Sequence, residues 1–283
     1  MTDGGLGTDA RKPGPRIGLA LGGGSARGFA HVLMLEAFDE LGLVPAIIAG
    51  TSMGAICGAA YAAGHTGAEL REELLAVFGR RRHLLKRLAA KLRDGSPWLW
   101  SPRDNVTLFE MLLPDAMRRS FDTLKIPFLA IATDYYGIEQ VVLDRGPLIP
   151  ALAASSALPH LARPVVIEGR VLIDGGYVNP VPYDVIMGRA DITVAIDVTG
   201  DTKIRPGTAI PGTLAAMTGA TQILFHSITR EKLKSVAPDI FIRPEVGAFG
   251  ALDYFRIEEI FRAAEPAKQL LKNKISQMVM DRS

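Results

Sequence analysis

The sequence predicts an α/β fold with a central, mostly parallel sheet. Three observations carry this. Short apolar runs of strand length alternate with longer stretches of helical periodicity. Apolar residues make up 48% of the 283-residue chain against 22% charged, enough for a sizeable core. Two of the apolar runs end in glycine-bearing turns that open helices, at Gly22-Gly23-Gly24 and at Gly50-Thr51-Ser52-Met53-Gly54.

In order, residues 16–21 form the first strand, broken by the three glycines. Residues 26–41 follow as a helix, with Phe29, Val32, Leu33, Leu35, Phe38 and Leu41 on a broad apolar face and Gly42 ending it. Ala46 to Ala49 read as a second strand closed by Gly50, and a small-residue helix runs from about Met53 to Ala63. Residues 67–93 are helical in pattern and become strongly basic. Strands are expected at Phe128 to Ala132 and Val141 to Leu143, and a short helix at 147–156. A hairpin turns at Glu168-Gly169 between Val165 to Ile167 and Val171 to Ile173. A strand at Ile192 to Ile196, a helix near 213–235, a strand at Ile240 to Ile242 and a helix near 253–272 complete the pattern.

The 32 basic and 30 acidic residues leave a net charge of +2, which argues against a globally basic nucleic-acid binder. The single cysteine, Cys57, cannot form an internal disulfide, and the five histidines show no HExxH spacing, so no metal site is expected. This composition fits a reducing, cytoplasmic compartment. Residues 1–15 are rich in Gly, Asp and Pro, lack an apolar signal segment and read as a disordered tail. Residues 16–200 are expected to form the main α/β domain, and 201–283 a helical extension packed on it. The uncharged stretch 41–68 is punctuated by glycines and reads as buried strand plus helix. The stretch 206–229 reads as an amphipathic helix that packs, dimerises or touches lipid.

Gly22-Gly23-Gly24-Ser25-Ala26-Arg27-Gly28 lies between a strand and a helix, where backbone N–H groups can converge on an anion. A dinucleotide site would want its third glycine one residue earlier and an acidic residue ~20 positions on. A phosphate loop would want Gly-Lys-Ser/Thr. The remaining functional reading is an oxyanion hole, and a plain tight turn is the structural alternative. The second turn bears on that choice. Gly50-Thr51-Ser52-Met53-Gly54 is G-x-S-x-G between a strand and a helix, the setting of a nucleophile elbow. Ser52 would stand at a helix N-terminus, and the Met53 N–H could join the oxyanion hole. A helix N-cap serine is the plainer alternative.

A serine hydroxyl needs a base. His65 lies past the elbow helix, His83 in an Arg-rich run, His160 in an irregular segment and His226 inside a helix, so none is a persuasive partner. Asp174-Gly175-Gly176 directly follows an apolar strand, and the glycines leave the carboxylate unobstructed. Partial desolvation would raise its pKa toward a useful base. Asp134 and Asp197 also follow strands, so spacing alone leaves them open.

The glycine-rich turn, the Ser52 elbow and the Asp174-Gly175-Gly176 turn, in this order, resemble the motifs of patatin-like phospholipases, most closely the small bacterial members. Ala154-Ser155-Ser156-Ala157-Leu158-Pro159 with Arg163-Pro164 resembles a further family segment, and the likeness covers roughly residues 16–198. The resemblance implies a three-layer α/β/α fold and a Ser52–Asp174 dyad that acts without histidine, metal or cofactor on acyl esters of lipids or phospholipids. Gly22, Gly23, Gly24 and Met53 would hold the oxyanion. Ser25, Arg27, Gly28, Gly50, Gly54, Gly175 and Gly176 would support the motifs, Arg27 by steadying its loop.

Residues 80–93 carry seven Lys or Arg among leucines at helical spacing, and Trp98 and Trp100 follow. Such a segment suits peripheral contact with an anionic inner-membrane surface through residues 80–100; a solvated cap helix is the alternative. No nucleic-acid fold accompanies it. The tail helices could also pair two copies into a homo-oligomer. Two other functions remain: a His-assisted esterase or acyltransferase, tested by replacing His160 and His226, and a non-catalytic lipid-binding module, tested with a serine-reactive probe.

Overall fold

The computed structural model describes residues 14–79, 105–113, 117–159, 161–200, 210 and 212–282. Eight strands form one sheet: β1 (Ile17–Leu21), β2 (Ile47–Thr51), β3 (Phe128–Asp134), β4 (Glu139–Leu143), β5 (Val165–Ile167), β6 (Arg170–Asp174), β7 (Ile192–Ile196) and β8 (Ile240–Ile242). Their order is β5-β6-β3-β2-β1-β7-β8, with β4 also on β3. The β3-β2-β1-β7-β8 part is parallel throughout, and β4, β6 and β5 add antiparallel pairs. The fold is α/β, a mixed and mostly parallel sheet flanked by helices.

The described α-helices are α1 (Ala30–Glu40), α2 (Met53–Ala63), α3 (Gly67–Phe78), α4 (Asn105–Leu112), α5 (Leu148–Ser155), α6 (Thr213–Ser235) and α7 (Ile257–Arg282). Alternation along the strands sends side chains to both faces. Leu19, Leu21, Ile48, Phe128, Val194 and Ile196 pack with Leu33 and Phe38 of α1, Ala59 of α2 and Phe261 of α7. On the other face, Ala20, Ala49, Leu129 and Ala195 pack with Val181, Tyr183, Ile186 and Leu233 of α6. Glu36 of α1 ties this shell together, accepting from Arg71 of α3 at 2.6 Å and from Lys268 of α7 at 2.8 Å.

Several elements depart from the sequence expectation. The first helix begins as a 3-10 turn over Ser25–Phe29 before α1 proper. Strand β2 runs through Gly50 to Thr51 rather than stopping at Ala49. Helix α7 reaches Arg282, continuing past Pro266. Helix α4 was not anticipated. The basic run 80–93, Trp98, Trp100, His83, His160 and most of the expected tail lie outside the described residues. Among the described residues, no helix is long and apolar enough to cross a membrane.

Candidate active site

Strand β2 delivers Ser52 to the start of α2. Its backbone sits at φ 54°, ψ −122°, a sharp turn that a non-glycine residue adopts only under constraint. The constraint is visible on both sides. The Ser52 carbonyl accepts from Ala55 N at 2.9 Å and Ile56 N at 3.1 Å. Its N–H donates to the buried Ser155 hydroxyl at 3.0 Å, which in turn donates to the Ile131 carbonyl at 2.6 Å. Gly54 makes the turn possible, because a Cβ there would be driven into the Leu21 carbonyl.

Sheet register brings Asp174 beside Ser52. On one edge of β3, β4 pairs with residues 130–134. On its other edge, β2 pairs up to Thr51↔Ile131, and the next position, Ala132, pairs with Asp174. Strand β6 thus enters where β2 turns away, and its last residue lands next to the elbow. The Asp174 N–H donates to the Ala157 carbonyl at 3.0 Å. Oδ1 accepts from Gly176 N at 2.8 Å, whereas buried Oδ2 has no hydrogen-bond partner of good geometry. Burial pushes the carboxyl up from 3.8 to about 6, against the opposing pull of the Gly176 N–H and the nearby Ser52 hydroxyl.

The two rival carboxylates are occupied. Asp134 caps its own turn through Tyr136 N at 3.1 Å and Gly137 N at 2.9 Å, and faces Arg170. Asp197 accepts from Thr199 and pairs with Arg243 at 2.7 Å. Of the three, only Asp174 lines the cavity that Ser52 lines.

The glycine loop corrects one expectation. Gly22 N–H already donates to the Ile196 carbonyl and Gly23 N–H to the Pro180 carbonyl, each at 2.9 Å, so neither can serve an oxyanion. Strand β7 and the segment after Asp174 capture them. Among the described residues, no acceptor takes the N–H of Gly24, Ser25 or Met53, and Gly24, Ser25 and Ser52 line one cavity. Gly28 packs on Met53, Gly50 on the Ala55 backbone, and Gly175 on the Ile131 carbonyl, so each permits a close approach. Arg27 is buried and donates to the Thr199 carbonyl, tying the loop to the end of β7. Burial pushes its guanidinium down to about 10, opposed by Asp197 and Asp253.

Helix α6 roofs the site. Thr218, Thr221, Gln222 and Phe225 face the cavity with Ser52 and Asp174. The free space is about 20 Å³, room for about one water. Lys232 clamps the far end of α6 by donating to Asn179 Oδ1 at 2.6 Å and the Val181 carbonyl at 2.9 Å. The Asn179 carbonyl accepts from Thr51, the neighbour of Ser52, at 2.8 Å.

Among the described residues, no histidine lines the cavity. His65 pairs with Glu73 at 3.3 Å. One contact escaped sequence reasoning: Ser155 stood in a quoted segment but carried no role, and it is the residue that holds the Ser52 N–H.

The fold and site define an α/β protein with a strained serine at a strand–helix turn, a buried carboxyl beside it and a glycine loop lining the same cavity. Residues 19–187, more than half of the chain, match the family model for patatin-like phospholipase. The chain belongs to the patatin-like phospholipase family. An uncharacterized NTE family protein of Mycobacterium bovis is 37% identical over 192 residues, covering 66% of this chain and 50% of its own length. The lysophospholipase NTE1 of Mycosarcoma maydis is 28% identical over 274 residues, covering 88% of this chain and 14% of its own. The chain thus spans half or less of these relatives. Among solved structures, VipD from Legionella pneumophila aligns with a TM-score of 0.49 at 13% identity, covering 92% of this chain and 67% of its own.

Proposed function

We propose that the chain is a serine hydrolase of lipid acyl esters, using a Ser52–Asp174 dyad. The observation that carries this reading is the buried Asp174 carboxyl, with one oxygen unpartnered, beside a serine held at φ 54°. Asp174 takes the Ser52 proton as the hydroxyl oxygen attacks the ester carbonyl. The N–H groups of Met53 and Gly24, with Ser25 in reach, receive the negative charge on the tetrahedral oxygen. Collapse releases the alcohol or lyso-lipid, which takes the proton, and leaves an acyl-Ser52 ester. Water then attacks that ester with Asp174 again as base, freeing the fatty acid. Among the described residues no histidine lines the cavity; His160 lies outside them, and replacing it tests the His-assisted route. The lipid or phospholipid class of substrate follows from family membership.

The test is intact-mass analysis after fluorophosphonate exposure, with p-nitrophenyl esters assayed in parallel. Wild type gains one adduct and turns over, Ser52→Ala does neither, and folded Asp174→Asn turns over at least about 10³-fold more slowly. A folded wild type without adduct or turnover overturns the reading. We further propose that residues 80–100 touch anionic lipid. Neutralising Arg80, Arg81 and Arg82 together should weaken sedimentation with anionic vesicles at low salt; unchanged binding sinks that idea.

A further inference from the structure

His31 is the second residue of α1 and has no exposed surface. Its Nε2 lies 2.7 Å from the Gly22 carbonyl oxygen. A carbonyl oxygen only accepts, so Nε2 carries the proton and donates, and Nδ1 keeps a bare lone pair. Nδ1 is buried with no hydrogen-bond partner. Leaving a polar atom in that state is unfavourable, and an apolar side chain of similar volume would fill the space without the penalty. What the imidazole provides in return is one N–H, aimed at one loop carbonyl. Burial pushes its protonation down to about 4, so the ring stays neutral and this donor arrangement holds across the neutral range.

That carbonyl belongs to the peptide joining Gly22 to Gly23. The oxygen of this peptide accepts from His31 and its N–H donates to the Pro180 carbonyl at 2.9 Å, so it is gripped at both ends. The preceding peptide is pinned by Gly22 N–H on the Ile196 carbonyl. The first peptide free of such bonds is the next one, carrying the Gly24 N–H. It departs from Gly23, where a Cβ would stand only 3.4 Å from that of Ser52. Glycines offer no side chain to fix the path, so the orientation of the Gly24 N–H depends on the plane before it.

We propose that His31 is a positioning residue of the oxyanion hole: through the Gly22 carbonyl it holds the glycine loop so that the Gly24 N–H points at the oxygen developing on the substrate. It touches no substrate and moves no proton. This rests on the reading of Ser52 as nucleophile.

The test compares His31→Phe, which keeps volume and removes the donor, with His31→Gln, whose terminal amide can reach the same carbonyl. Each is measured by melting temperature, by kcat and KM on p-nitrophenyl esters, and by fluorophosphonate labelling rate. In His31→Phe, kcat and the labelling rate should fall about 10- to 100-fold, less than the loss of a direct oxyanion donor. KM should stay within about 2-fold. His31→Gln should recover most of the loss at a similar melting temperature, and the pH midpoint of activity should stay put in both. Unchanged kcat in a folded His31→Phe, equal losses in the two variants, or a rise in KM alone would overturn the proposal. Should His31→Phe fail to fold, His31→Asn, whose shorter amide cannot reach, takes its place under the same criteria. A wild type that neither labels nor turns over overturns the Ser52 reading and this inference together; an active wild type with an unaffected donorless variant overturns the inference alone.

Discussion

The Ser155 hydroxyl accepts the N–H of Ser52 at 3.0 Å, so a residue of α5 holds the backbone of the proposed nucleophile. Two residues on, the Ala157 carbonyl accepts the N–H of Asp174 at 3.0 Å. One short segment therefore sets the spacing of the proposed dyad from behind. Ser155→Ala should leave the Ser52 N–H and the Ile131 carbonyl without partners, at a cost of about 1–3 kcal/mol in stability. Because the elbow is strained, kcat should also fall by about 10-fold. Chemical denaturation and steady-state kinetics check both; wild-type kcat in the variant would show that the elbow holds without this bond.

Asp174 makes the pH dependence specific. As the proposed base it must be ionised, so turnover should rise with pH through about 6. Stability should move the opposite way. The folded carboxyl, at about 6, binds its proton more tightly than the unfolded one at 3.8, so folding loses stability as pH rises between those values. Asp174→Asn removes that penalty and should be the more stable protein above pH 6, by up to about 3 kcal/mol, while losing activity. Melting curves of both proteins from pH 4 to 8 test it. A gap that does not widen between pH 4 and 6 would mean that Asp174 is not the buried, raised carboxyl described.

Gly176 lies against the ring of Phe225 on α6 so closely that a Cβ there would overlap the ring. Phe225 also meets Tyr177 edge-on at 5.5 Å. Gly176→Ala should push α6 off the roof of the site and cost about 1–3 kcal/mol by overpacking. Phe225→Leu in the same chain should recover part of that loss, giving a coupling energy of about 0.5–3 kcal/mol in a double-mutant cycle. Additive effects would place the strain elsewhere.

The placement of Ser52 and Asp174 was legible because the signals are local: each sits at the end of an apolar strand, beside glycines that the turn needs. The choice of Asp174 over Asp134 and Asp197 was not legible from spacing, since it depends on Arg170 and Arg243 occupying the rivals. The proposed oxyanion donors were half legible. All three glycines look alike in sequence, but Ile196 and Pro180, distant in the chain, bind the N–H groups of the first two. His31 fits the apolar periodicity of α1, and nothing in that pattern says that its ring turns toward a loop. Helix α7 extends past its expected end because Ala267, Leu271 and Ile275 continue its buried stripe beyond Pro266.

An ester with a long acyl chain needs more room than the space beside Ser52 offers. A second, open groove of about 380 Å³ lies between Met217 and Ala220 of α6 and the Pro159 and Tyr177 side, and Thr221 lines both spaces. Its walls are mostly apolar, and no charged residue occurs between 210 and 229 of the chain. A chain bound to Ser52 can run along this flank of α6 without burying a charge. Ala220→Trp should fill the groove from an exposed helix position with little effect on folding. Hydrolysis of short p-nitrophenyl esters should stay within about 2-fold of wild type, while that of long-chain esters should fall by about 10-fold or more. Equal rates on long chains in the variant would send the acyl chain by another route.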